Sequence, residues 1–189
     1  DFLALDYPLA PEAALAEIIA TTLEQLLFYL NNTREILKLP NKDFVFLGRS
    51  AGAYLAFMLC QELLTAKLLT PKACISMYGY DNLTEPSFKL PSPYYNKLPH
   101  IPELQISNLI SPKPKVYAPL AERFSLYVHA RQTGKWLDYL QVNGNYQQFA
   151  LSITTISNMP PTILAAATLD PDVPYRLSKT LSKLLPFAK

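Results

Sequence analysis

Glycine is scarce in this chain, five in 189 residues, and cysteine and histidine are scarcer, at two each. Two cysteines cannot build a disulfide framework. Cys60 lies in an apolar helical run and Cys74 in an apolar strand-like run, so both read as ordinary buried thiols. Neither belongs to a CxxC pair or stands at a helix terminus, which argues against thiol catalysis and against a metal site. Unpaired thiols fit a reducing cytoplasm. Clustered positive charge is also missing: the net charge is +2, and the nearest cluster, Lys113 and Lys115, alternates with proline. Phosphate binding needs grouped Lys and Arg, so nucleic acid is not an expected partner. No apolar stretch reaches the roughly 18 residues that a bilayer span requires, and no basic segment followed by an apolar one opens the chain. A soluble protein without a membrane span is expected.

Half of the residues are apolar, enough for one domain with a good core and an insertion. Phe2 to Leu5 reads as a short buried strand, and Pro11-Glu12 as the first turn of a helix that keeps its spacing through Leu15, Ile19, Leu23, Leu26 and Leu30. A second helical piece follows near Thr33 to Leu37. Strands are predicted at Phe44 to Leu47, at Ala73 to Met77 and from Pro161 to Ala167, with helices over Ala51 to Ala66 and Tyr175 to Leu185. Strand–helix–strand repeats imply a mostly parallel sheet flanked by helices, an α/β fold.

From Tyr80 to Asn158 that rhythm stops, and prolines crowd the stretch from Pro86 to Pro119. Proline removes backbone donors and ends regular elements, so the stretch is expected to be rich in loops, with helices near Leu120 to Ala130 and Gly134 to Leu140. Tyr94, Tyr95, Tyr117, Phe124, Tyr127, Trp136 and Tyr139 argue for a packed excursion rather than a disordered linker. Residues 81–159 are read as a cap insertion within a single domain of residues 1–189.

The chemistry-bearing feature is Gly48-Arg49-Ser50-Ala51-Gly52, set between a strand and a helix. Glycines at that junction let strand and helix approach while the serine takes a strained backbone conformation. Its hydroxyl then stands above the strand ends, and the N–H groups that open the helix face any anion formed there. This is the layout of a serine hydrolase; the alternative is that Ser50 merely caps the helix. Asp170 follows the strand from Pro161 and stands on the same rim of the sheet as the Ser50 turn. It reads either as an acid partner, favoured by the order Ser before Asp, or as a turn residue.

Three stretches together resemble the α/β-hydrolase superfamily, most closely its hormone-sensitive-lipase-like esterase branch. They are Leu5 to Glu12 (LDYPLAPE), Gly48 to Ala56 (GRSAGAYLA) and Pro160 to Ser178 (PPTILAAATLDPDVPYRLS). Pro8, Arg49 and Ala53 depart from that branch's usual residues. The resemblance implies Ser50 as nucleophile, Asp170 rather than Asp172 as the group that orients a histidine, and the Ala51 N–H as one oxyanion donor. It also implies an HGG-type oxyanion loop before LDYPLAPE and a triad histidine beyond the acid strand. Neither occurs in this sequence, so the chain is expected to be part of a longer protein. His100, among prolines, and His129, beside Arg131, both precede Asp170, the wrong order for the family, and are expected to pack on the surface or in the cap. Arg49 is expected in a salt bridge. Tyr54 and Tyr80 are candidates for lining an acyl pocket, or else buried tyrosines with bonded hydroxyls.

The expected function is a serine carboxylesterase acting on small, fairly apolar esters through an acyl-enzyme, with no metal or organic cofactor. A small-molecule ester is its expected partner, and a homodimer is left open. The rival reading is a ligand-binding pseudo-hydrolase that keeps the pocket without a working triad. A proline-rich docking segment is the weakest reading, because SPKPK and LPSPYY match such codes poorly.

Overall fold

A computed structural model describes residues 1–188. Three parallel strands, β1 (Val45–Arg49), β2 (Ala73–Met77) and β3 (Thr162–Ala165), form a sheet in the order β1-β2-β3. Residue pairs Leu47↔Ile75↔Ile163 and Arg49↔Met77↔Ala165 bring the three carboxyl ends level. Helix α2 (Ala51–Thr65) is the crossover from β1 to β2 and buries Ala53 to Cys60 and Leu63. Beyond β3 comes α7 (Tyr175–Leu184), and Phe187 then returns beside β3, its C=O accepting from the Thr162 N–H at 3.0 Å.

One sheet face, carrying Gly48, Cys74, Ser76 and Thr162, is buried. The opposite face carries Val45, Leu47 and Ile163, each about half exposed. β1 is an edge strand: among the described residues no strand lies on its outer side. That accounts for Phe2 to Leu5, which the sequence reading makes a strand and which forms none. A strand needs a neighbour for its backbone groups, the described residues supply none there, and Phe2 and Leu3 are exposed. Helix α1 (Leu15–Asn31) starts four residues after Pro11, which lies in a turn, so Pro11-Glu12 does not open it.

The described residues fall into two compact units, one of Asp1–Thr22 with Leu83–Gln147, the other of Leu23–Asn82 with the chain from Gln148 onward. The first holds α3 (Glu103–Ser107), α4 (Leu120–Thr133) and α5 (Trp136–Tyr139), and it incorporates the amino-terminal segment. The Leu9 N–H donates to the Lys115 C=O, the Leu15 N–H to the Leu140 C=O, and Glu12 pairs with Arg123. Its aromatics cluster: Tyr95 packs edge-on against Tyr94 and Tyr127, and Phe88 against Trp136. Tyr117 and Phe124 stay exposed.

The second unit holds the sheet, α2, α6 (Ile153–Ser157) and α7. Cys60 on α2 and Cys74 on β2 are fully buried neighbours. Their shared hydrogen bond and their burial push the Cys74 thiol up, so it behaves as an apolar core group.

Candidate active site

The junction of β1 and α2 holds Ser50 at φ 50°, ψ −122°, a backbone conformation that serine rarely adopts. Three backbone hydrogen bonds fix it there. Its N–H donates to the Met77 C=O at 2.9 Å, tying the serine to the end of β2, and its C=O accepts from the Ala53 and Tyr54 N–H groups that begin the helix. Gly48 makes the junction feasible, since a Cβ there would lie 2.5 Å from the backbone of Ala53. Gly52 has open space around its missing Cβ. The first N–H groups of α2, on Ala51 and Gly52, have no acceptor among the described residues, as expected at a helix start. Ser50 is half-buried and its hydroxyl makes no hydrogen bond there. The local capping alternative fails on this point, because the Ser50 side chain does not cap α2.

Asp170 lies five residues past β3. Its Oδ1 accepts from the backbone N–H groups of Asp172 at 2.8 Å and Val173 at 3.0 Å. The turn-residue reading therefore describes one oxygen of the carboxylate. The other oxygen makes no hydrogen bond among the described residues, and two backbone bonds hold its direction. Both Ser50 and Asp170 follow the level carboxyl ends of parallel strands within the second unit, the rim where open α/β sheets carry their chemistry.

Tyr54 and Tyr80 are buried and stacked, with ring centroids 4.8 Å apart and planes 16° apart. The Tyr54 hydroxyl donates to the Phe149 C=O at 2.9 Å, and burial raises its pKa well beyond the ordinary phenol range. Arg49 is exposed on the open sheet face and forms no ion pair among the described residues, contrary to the expected salt bridge. The face carries no acid to meet it.

Neither histidine is placed as a base by its bonds. His129 is buried, its Nδ1 2.8 Å from the Ile101 C=O and its Nε2 3.1 Å from Glu103 Oε2, which Lys135 also contacts. His100 is exposed. Residues the sequence reading passed over include Gln61, Asp81 and Tyr78. Desolvation by burial raises the Asp81 pKa, against a hydrogen bond from Asn82 that lowers it. No cluster of three or more His, Cys, Asp or Glu fit to hold a metal occurs among the described residues, and no helix there is long and apolar enough to cross a membrane.

A family profile described as the alpha/beta hydrolase fold matches residues 1–174. This chain belongs to that family. Solved structures share the fold. A Staphylococcus aureus subsp. aureus Mu50 protein described as of unknown function is 29% identical, with a TM-score of 0.82. The match covers 98% of this chain and 64% of that one. An alpha/beta hydrolase superfamily protein from Enterococcus faecalis is 30% identical, with a TM-score of 0.79, covering 97% of this chain and 65% of that one. A hyperthermophilic esterase from Pyrobaculum calidifontis shares the fold at 20% identity and a TM-score of 0.56, over 97% of this chain and 53% of that one. The chain thus spans less than two thirds of the length of these solved relatives. A comparison with curated protein sequences finds no match.

Proposed function

We propose that the protein is a serine carboxylesterase of the hormone-sensitive-lipase-like branch, acting on small, fairly apolar carboxylic esters. The observation that carries this reading is Ser50 itself. A serine held at positive φ between a parallel strand and a helix, its hydroxyl unbonded and the Ala51 and Gly52 N–H groups open beside it, is built for nucleophilic attack. A helix cap needs none of that strain. The reading is supported by fold neighbours described as esterases, such as the Pyrobaculum calidifontis enzyme.

In this reading Ser50 Oγ attacks the ester carbonyl and passes its proton to a histidine oriented by the unbonded oxygen of Asp170. The tetrahedral oxyanion rests on the Ala51 N–H and on a second donor. The alcohol leaves with the proton from the histidine, and water then cleaves the acyl-enzyme to the carboxylic acid. No metal or organic cofactor enters. Tyr54 and Tyr80, one turn and one strand away from Ser50, act as a rigid wall behind the acyl pocket, and residues 81–159 supply the cap. A cytoplasmic location and a homodimer belong to the same proposal.

A ligand-binding pseudo-hydrolase is the second reading, favoured by one observation: His129 is committed to Ile101 and Glu103, and no other buried histidine occurs among the described residues. Exposure to a fluorophosphonate, followed by intact mass and peptide mapping, separates the two. One adduct on Ser50, lost in Ser50→Ala together with at least about a thousandfold of esterase activity, is the expected outcome. A folded protein that forms no adduct would make binding the leading function.

A further inference from the structure

Among the described residues six other than glycine have positive φ, and two of them stand at the carboxyl ends of neighbouring strands: Ser50 after β1 and Tyr78, at φ 45°, after β2. They are joined through the Ser50 N–H bond to the Met77 C=O, one residue before Tyr78. The Tyr78 N–H in turn donates to the Ala165 C=O at the end of β3, the strand that leads to Asp170. Tyr78 therefore occupies the middle of the rim, between the serine and the strand that delivers the acid.

Left-handed backbone at a bulky residue is an outlier that costs roughly 1–3 kcal/mol. Glycine or asparagine would take the same conformation with less strain. The next residue is indeed glycine, yet at Gly79 it serves packing: a Cβ would lie 2.5 Å from both Ala53 Cβ and Ser76 Oγ. The strained position itself keeps an aromatic ring. Tyr78 as a whole residue is 36% exposed, and its hydroxyl makes no hydrogen bond among the described residues, so neither polar anchoring nor full burial explains it.

We infer that Tyr78 is a specificity-determining residue whose ring contacts the acyl group of the ester. This rests on the serine esterase reading, because the acyl group stays bonded to Ser50 Oγ between the two half-reactions and must lie against whatever flanks that serine. An aromatic face beside the serine favours acyl groups long or flat enough to reach it, such as hexanoyl or benzoyl, over acetyl.

The test compares kcat/KM for p-nitrophenyl hexanoate, benzoate and acetate in the full-length protein and in Tyr78→Phe and Tyr78→Gly. The hexanoate-to-acetate and benzoate-to-acetate ratios should fall about tenfold in Tyr78→Gly and stay within about twofold in Tyr78→Phe. Tyr78→Asn, which suits the same φ, gives the same readout if the glycine variant fails to fold. A purely structural tyrosine would lower activity on all esters equally and leave the ratios unchanged. Unchanged or raised ratios in a Tyr78→Gly or Tyr78→Asn protein that still forms the Ser50 phosphonate adduct overturn this inference and leave the esterase reading standing. A wild-type protein that forms no adduct removes the esterase reading, and this inference with it.

Discussion

Gly48 and Gly52 look equivalent in the Gly-Arg-Ser-Ala-Gly turn, but only one of them is required by space. A methyl group at Gly48 would press into the Ala53 backbone, whereas at Gly52 it would meet nothing within 4 Å. Gly48→Ala should therefore destabilise by about 3 kcal/mol, as overpacking against backbone does. Gly52→Ala should be neutral or stabilise by roughly 0.5–1 kcal/mol, because alanine narrows the unfolded ensemble and suits a helix. Urea unfolding of both variants checks the opposite signs; equal losses would mean that the turn is held differently. The sequence pattern alone could place the turn and its serine, since a strand, two glycines and a helix former at almost every position leave few other shapes. It could not rank the glycines, nor show that Tyr78 shares Ser50's strain, because positive φ at tyrosine is imposed by three strand ends meeting and has no local signature.

Elements were legible where neighbours agree with local preference. The strands at Val45–Arg49 and Ala73–Met77 and helix α2 follow from apolar runs and helical spacing. Phe2 to Leu5 carries the same apolar signal without a pairing partner, and α1 begins later than its proline suggests because Glu12 is drawn to Arg123. How α2 is bound to the segment before α6 was not legible at all. Gln61 donates to the Ala150 C=O at 3.3 Å and accepts from the Ser152 N–H at 2.8 Å and the Thr155 hydroxyl at 2.9 Å. About two turns earlier on the same helix, the Tyr54 hydroxyl donates to the Phe149 C=O. Gln61→Leu removes three bonds and leaves their partners to find water, so it should cost roughly 1–3 kcal/mol, against about 1 kcal/mol for Tyr54→Phe. Chemical denaturation reads both. Because Gln61 has no place at the reacting atoms, the rate of fluorophosphonate labelling at Ser50 should hold within about threefold in Gln61→Leu while the protein stays folded.

Acid sensitivity of the molecule as a whole should begin in the unit built from Asp1–Thr22 and Leu83–Gln147, whereas Ser50 and Asp170 belong to the other unit. There the Glu12 carboxylate is fully enclosed, with Arg123 Nη1 2.8 Å from its Oε2, Arg123 Nη2 3.0 Å from its Oε1, and the Ser111 N–H 3.1 Å from that same oxygen. Desolvation raises the Glu12 pKa, but the hydrogen bonds from Arg123 and Ser111 together with the arginine's charge outweigh it, and the net shift is downward. A carboxylate whose folded pKa lies below its unfolded value, about 4.3, contributes stability that is complete above that pH and is lost as the pH falls through the folded pKa. Hydrogen exchange should therefore show the amides of Ser111, Leu9 and Leu15 losing protection between neutral pH and about pH 3, ahead of those in β2 and α2. Glu12→Gln leaves the Arg123 charge without its partner and should destabilise by on the order of 3 kcal/mol at neutral pH while flattening the acid dependence. If the variant instead keeps the wild-type slope of stability against pH, the acid response arises from other carboxylates. The pair then serves only to bind the amino-terminal segment to α4.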